Sequence, residues 1–472
     1  MSKDLLIKNV DLEIGNSQGN SGGWAWFNFT GPGMRLQVDN CIMEHTWWCW
    51  VGGPPADSRI FFTNDYFINL SGHSCRRNGG VTDFNSNYAL HQDTLVVENC
   101  THVNTQGSLY RFRHGYSVNK VIFNHNDFID CAYNVFKSYG DQANMSVTNN
   151  IFVNCQLQAF GPSPFIDDIG FVDWDAGLVN VRDDSTFQAN GASFYADRNL
   201  AYWDPSLSDI VSTLNADSVN GSTEWVSQMI TMNSRTADMF ADSTTYPLLT
   251  NGKWYNQLPD FADTDNLFTT QLAVLKAYAI AAVDTGYGTP MPSWRQPNNP
   301  EATNFVHADF PIPIDLSYTA ADLKTAGLGG FPLGDLNWFP TEYEMWTVQK
   351  ADEYAYIAGV LDGSITIPPV GIQTTQQEHP RTFRLQQNYP NPFNPSTTIS
   401  YTVGAIRESP VQHVELSVYN ILGQKVATLV DKKQSAGPHQ IEWDASGLAS
   451  GIYLYRLQVN EHEISKKMVL MK

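Results

Sequence analysis

The chain has 472 residues, too many for one compact core of ordinary size, so two or three structural units are expected unless a repeat stretches one of them. Its net charge of −20 is uneven: from Phe383 onward nine basic residues face seven acidic ones, leaving 19 against 41 before it. Such a body argues against phosphate-backbone binding, which relies on Lys and Arg, and no run of eighteen apolar residues is present to span a bilayer.

The start, Met1-Ser-Lys-Asp-Leu-Leu6, has neither the apolar stretch nor the small-residue cleavage site of a signal peptide. One phrase then recurs through the first two hundred residues: a β-branched or aromatic alternation, an Asn, and a further apolar pair. It reads Leu5-Leu-Ile-Lys-Asn9, Leu36-Gln-Val-Asp-Asn40, Phe61-Phe-Thr-Asn64, Leu95-Val-Val-Glu-Asn99, Ile122-Phe-Asn-His-Asn126 and Ser146-Val-Thr-Asn-Asn150. The copies Asn126-Asp-Phe-Ile-Asp-Cys131 and Asn150-Ile-Phe-Val-Asn-Cys155 align without a gap at a spacing of 24, and Asn99 to Asn126 spans 27.

Those are single-coil lengths of a β-solenoid. Asn suits each bend because it tolerates left-handed backbone angles and hydrogen-bonds to the neighbouring copy. Stacked copies bury Val, Ile, Phe and Cys and leave alternate residues outside. The six cysteines, Cys41, Cys49, Cys75, Cys100, Cys131 and Cys155, have no C-x-x-C pair. Buried stacked thiols are expected, with disulfides as the alternative.

Val147-Thr-Asn-Asn-Ile-Phe-Val-Asn-Cys155 resembles a coil of the pectin-lyase-like superfamily, and the resemblance covers roughly residues 5 to 203. It implies an all-β protein built on a right-handed parallel β-helix, and fold more than activity. The expected organisation is a β-helix over 1–203, a partly helical elaboration and cap over 204–364, a linker over 365–382 and a β-sandwich over 383–472.

In the middle segment, Leu207 to Leu214 and Leu267 to Ala282 place apolar residues at helical spacing. Gly329-Gly-Phe-Pro-Leu-Gly-Asp-Leu-Asn-Trp-Phe-Pro340 strings turn formers between aromatic anchors and reads as an ordered crossing loop. Glu342 to Leu361 has helical composition and is expected to cap an end of the solenoid.

From Phe383, alternating strands separated by Gly and Asn turns predict a small sandwich. Asn388-Tyr-Pro-Asn-Pro-Phe-Asn-Pro395, Val418-Tyr-Asn-Ile-Leu-Gly-Gln-Lys-Val426, Leu448-Ala-Ser-Gly-Ile-Tyr453 and the basic ending Lys466-Lys-Met-Val-Leu-Met-Lys472 occur in order. Together they resemble the type IX secretion C-terminal sorting domain. The resemblance implies an upstream signal peptide, type IX machinery as a partner, and an extracellular or outer-surface destination. The chain is then expected to begin inside the mature protein.

β-Helix proteins of this superfamily often act on acidic polysaccharides. Elimination from a uronate needs a cation to neutralise the carboxylate and a base to take the adjacent proton. Arg111-Phe-Arg-His-Gly-Tyr116 and Phe136-Lys137-Ser-Tyr139 supply basic residues, and Arg111 lies 26 residues from Lys137, about one coil. The catalytic candidates are therefore Lys137 or Arg113 as base, with Arg111, His114 and Tyr116 in support. The plainer alternative is basic side chains paired with Asp on a solenoid face.

Asp167, Asp168, Asp173 and Asp175, or Asp183 and Asp184, are candidate Ca²⁺ ligands, since hard cations take several oxygens; polar turns are the alternative. Trp47, Trp48 and Trp50, with Trp24 and Trp26 nearby, offer indole faces to sugar rings, or else core packing. Glycosidase chemistry needs paired carboxylates, and Asp167-Asp168 is such a pair. The polygalacturonase order of motifs is nevertheless absent, as is the pectate-lyase Arg-x-Pro-x-x-Arg. Two functions stay open: a secreted protein that binds polysaccharide, with or without cleaving it, and a non-catalytic adhesin or matrix element.

Overall fold

Alternation builds the walls of each coil. In Arg35–Asp39, Leu36 and Val38 are fully buried while Arg35, Gln37 and Asp39 stay half-exposed, the signature of a strand with one face in a core. In the computed structural model such strands stack in parallel, coil upon coil. The structure describes residues 4–13, 25–27, 31–44, 46, 49–70, 80–84, 91–105, 107–112, 117–138, 141–142, 144–157, 177–181, 192–216, 227–262, 271–284, 314–367, 384–385, 388, 390–403, 411–420, 424–435, 437–459 and 462–471. It divides into two units, Met1–Thr374 and Thr375–Lys472.

Among the described residues the first unit holds three parallel sheets of nine, eight and five strands. The first sheet runs from Asp4–Lys8 through Ser193–Asp197 to Leu249–Asn251, and the second from Asp11–Glu13 through Asn199–Tyr202 to Trp254–Tyr255. The third comprises Ala25–Phe27, Cys49–Gly52, Gly80–Phe84, Tyr110–Phe112 and Phe136–Ser138. This is a parallel β-helix, as the repeat predicts, and its two longest sheets continue past residue 203.

The bend between the first and second sheets is left-handed at seven successive coils: φ is 56° at Asn9, 54° at Asn40, 57° at Asn64, 50° at Asn99, 54° at His125, 60° at Asn149 and 53° at Arg198. Immediately after it, side-chain amides form a ladder. Asn126 Oδ1 accepts from the Cys100 N–H at 3.1 Å, and Asn150 Oδ1 accepts from Asn126 N–H and Nδ2 at 3.0 and 2.9 Å. Asn199 Oδ1 accepts both matching bonds from Asn150, each at 3.0 Å. Each amide also donates back, to Val97 O, Phe123 O and Val147 O.

A second left-handed row closes the far side of the second sheet at Asn69, Asn104, Asp130 and Asn154. There Asn104 donates to Asn69, and Asn154 to Asp130. Inside, Phe67, His102, Phe128 and Phe152 stack ring on ring, with centroids 4.7, 4.4 and 5.0 Å apart. Cys41, Cys49, Cys100, Cys131 and Cys155 are buried free thiols; Cys75 lies outside the described residues.

The helices of the middle segment pack on this body. Helix α1 (Ser208–Ala216) follows a short turn in which Asp204 Oδ1 caps the Ser206 N–H at 2.8 Å, with Pro205 at the first position. Helix α2 (Ser234–Ala241) is capped by Asn233 and sends Met239 and Phe240 into the core beside Phe194. Helix α3 (Leu272–Asp284) packs Leu272, Leu275 and Tyr278 against Leu207 and Ile210.

Helix α4 (Pro340–Leu361) begins on Pro340, whose missing N–H costs nothing at a first turn. It does not close an end of the solenoid. Its side chains reach the left-handed bends of successive coils: Lys350 and Tyr354 hydrogen-bond Glu98, Glu353 accepts from Asn124 and Asn149, and Ile357 and Val360 pack on Tyr195. The reason is chemical, since the buried amides of Asn124 and Asn149 at these bends need partners, which Glu353 supplies.

In the second unit, an antiparallel three-stranded sheet and a four-stranded one share a core that includes Phe393, Ile399, Leu416, Val418, Tyr455 and Leu470. This is the expected small sandwich. The Pro-rich opening motif is locked to the final strand, where Phe393 N–H donates to Val469 O and Val469 N–H to Asn391 Oδ1. Linker residues 368–383 lie outside the described residues.

Asn150 is fully buried, and its side chain makes four hydrogen bonds, to Asn126, Phe123 and Asn199. Each buried group left unsatisfied costs about 1–3 kcal/mol, so Asn150→Ala is expected to destabilise the first unit by roughly 3 kcal/mol or more. Urea unfolding followed by tryptophan fluorescence checks this; a loss under about 1 kcal/mol would contradict the ladder's role.

Candidate functional site

The third sheet carries two of the residues singled out for catalysis, Arg111 and Lys137. Arg111 pairs in register with Asp83 on one side and Lys137 on the other, so the 26-residue spacing is one coil. The guanidinium is not open to a substrate, however. Arg111 is 4% exposed, and its Nη2 lies 3.3 Å from Oδ2 of the fully buried Asp83. Its part in a uronate cradle is therefore corrected to that of a buried ion pair, in which deleting either partner strands the other charge at about 3–5 kcal/mol. Lys137 stands beside it at backbone level, and its side chain lies outside the described residues, as do Arg113, His114 and Tyr116.

Trp50 also changes role. It is fully buried, 6.1 Å from the Trp26 ring and 6.4 Å from Phe27, and packs in the core instead of facing sugar. Trp26 is the exposed member of that pair. Trp24, Trp47 and Trp48 lie outside the described residues, as do Asp167, Asp168, Asp173, Asp175, Asp183 and Asp184. Among the described residues no group of three His, Cys, Asp or Glu is placed to hold a metal.

His102 escaped the sequence reading. Its ring sits inside the aromatic stack, Nε2 2.7 Å from Tyr110 Oη and Nδ1 3.2 Å from Asp127 O. Burial depresses its pKa to about 3, so it is a neutral core residue. His125 belongs to a bend, where Nε2 lies 3.4 Å from Glu353 Oε1. Burial opposes the Glu353 charge, but the facing His125 and the Asn124 and Trp346 donors outweigh it and hold that carboxyl below its usual range.

The outward side of the second sheet is covered by a strap, residues 314–339, whose later part, from Gly329, is the expected crossing loop. Leu316, Tyr318, Leu323, Leu333 and Phe339 pack there on Ile68, Val103, Ile129 and Ile151. Asp335 pins the strap, accepting from Thr101 Oγ1 at 2.8 Å and from the Asn337 N–H at 2.9 Å, and burial pushes its carboxyl up to about 6. Gly334 has φ 80°, and a Cβ there would fall 2.1 Å from Asp127 Oδ1, so only glycine fits this crossing.

Where the strap meets the start of α4, a cavity of about 310 Å³ opens, lined by Asp260, Ser317, Lys324, Trp338, Phe339 and Glu342 among others. Its walls are fixed from behind. Trp338 Nε1 donates to Thr101 Oγ1 at 3.0 Å, and its ring stands edge-on to Tyr66. Lys324 Nζ lies 5.5 Å over the Phe339 ring. Asp260 accepts from Thr319 Oγ1 and from the Ala320 N–H, and the Thr319 bond leads in holding its carboxyl below the usual range. Indole, hydroxyls, a cation and carboxylates around a space near the lower bound of small-ligand sites, ~300 Å³, suit a hydroxyl-rich ligand.

Comparison with known proteins locates one family. Residues 387–471 match the model of the secretion system C-terminal sorting domain, and no curated protein matches the chain. The match covers the motifs from Asn388 to the basic ending and marks the protein for type IX export to the cell surface or extracellular space. No helix among the described residues is long and apolar enough to cross a membrane. Deleting residues 387–471 in the native host is expected to abolish surface or extracellular recovery, read by fractionation and immunoblot; undiminished export would contradict the assignment.

Proposed function

We propose that this exported β-helix protein binds extracellular polysaccharide on the flank of its solenoid, holding the glycan rather than turning it over. The observation carrying this reading is the cavity between the strap and α4. There Trp338 offers a half-buried indole while Lys324, Glu342 and Ser317 offer polar groups at its rim. Sugar rings stack on indole faces, and their hydroxyls take charged and hydroxyl partners. Type IX machinery is the export partner that the sorting domain supports.

A second reading, polysaccharide lyase, is favoured by the register that sets Lys137 beside Arg111. It would use Lys137 or Arg113 as base near His114 and Tyr116, with Ca²⁺ on Asp167, Asp168, Asp173 and Asp175. Against it, Arg111 is committed to Asp83.

The purified chain is expected to be retarded in affinity gels by a subset of neutral and uronate-containing polysaccharides, and Lys324→Ala with Glu342→Gln should weaken retention about tenfold, a difference of ~1.4 kcal/mol. Absence of retention across the panel would sink the binding reading. New unsaturated ends that vanish in Lys137→Ala would replace it with the lyase.

A further inference from the structure

The outward face of the first sheet carries a feature that neither the cavity nor the third sheet uses. Arg35, Arg59, Thr94 and Lys120 occupy one position in four successive coils: Arg35 pairs with Arg59, Arg59 with Thr94, and Thr94 with Lys120. Their chain neighbours Leu36, Ile60, Leu95 and Val121 are buried to 1% or less. Strand alternation therefore turns this column outward. Arg59 and Lys120 are exposed, and Arg35 and Thr94 are half-exposed.

In a chain of net charge −20, these cations are not spent on ion pairs among the described residues. Arg35 instead donates from Nη2 to Gln37 Oε1 at 2.7 Å and lies 4.9 Å over the Phe61 ring, which orients its guanidinium. Phe61 and Gln37 form the next column, also in register. The acidic positions closest along the chain and register are Asp4, one coil from Arg35, and Asp57 and Asp93 near the strand starts. Lys8 at the far edge of the sheet is already paired with Asp39, at 2.6 Å.

Coils repeat every ~4.8 Å, so Arg35 and Arg59 sit about one strand spacing apart and Lys120 about 14 Å along the column from Arg35. Cations repeating along a rigid wall match a linear polymer with an anionic group on successive or alternate residues. Guanidinium forks bind carboxylate and sulfate through two hydrogen bonds each. We propose that this column is a binding track for a carboxylate- or sulfate-bearing polysaccharide, with Phe61 as an apolar contact beside it. The acidic body and the small number of cations disfavour nucleic acid, whose binding requires many phosphate contacts. The inference rests on the polysaccharide-binding reading only in taking a glycan as the polymer, and it uses different residues.

The test measures binding of the full chain to immobilised polygalacturonate, dextran sulfate, neutral dextran and single-stranded DNA, each at low and high salt. Wild type is expected to bind at least one of the two polyanionic glycans in a salt-sensitive way, and the one preferred identifies the anionic group. Arg59→Ala with Lys120→Ala, and separately Arg59→Glu, should weaken that binding about tenfold or more. Melting temperature should not move, because both side chains are exposed. In the Lys324→Ala, Glu342→Gln background the Arg59→Ala, Lys120→Ala pair should still weaken polyanion binding about tenfold, which separates this track from the cavity. No binding to either polyanion, equal binding by the double variant, equal affinity for neutral dextran, or tighter binding to DNA would each overturn the proposal.

Discussion

The stacked side-chain amides at the bend between the first and second sheets set the geometry of the first unit. A left-handed residue turns the chain there, and in the central coils the amide of the next residue, Asn126 or Asn150, bonds to the coil before and the coil after it. Because that amide is buried, a coil slipped by one residue would strand donors and acceptors at once. Register is thereby transmitted from coil to coil, and outward columns of side chains line up as a consequence.

The same bends explain the accessory elements. Their outward amides, at Asn99, Asn124 and Asn149, bind Leu336, Glu353 and Leu328 of the strap and α4. The strap then covers the apolar outer face of the second sheet, and the cavity forms where strap and helix meet. What remains open on the first sheet is the column from Arg35 to Lys120. The two proposed binding faces are thus set by the ladder and by where the accessory segments lie.

Legibility followed the strictness of these constraints. Asn126 and Asn150 were readable as one repeat because the ladder demands an amide at both, and Arg111 and Lys137 were readable as neighbours because their coils are nearly equal in length. The Arg35 column was not, since loops of unequal length separate its members and hide the register. Arg111 looked available because nothing in the sequence marks Asp83, a coil earlier, as its partner. Trp50 was left between sugar platform and core packing because composition cannot say which face of a strand looks inward. His102 was missed because an imidazole in an aromatic stack carries no pattern of its own. The sandwich was readable from its motifs because Asn391 and Phe393 tie the opening loop to the last strand.

Native-state hydrogen exchange at the amides of Cys100, Asn126 and Asn150 tests the central claim most directly, since each N–H donates into the next rung of the ladder. If the ladder sets the register, these amides exchange among the slowest in the first unit, opening only as it unfolds globally. Exchange at the rate of exposed turn amides would mean that the coils are held by apolar packing alone, and the account of how the faces are aligned would fail.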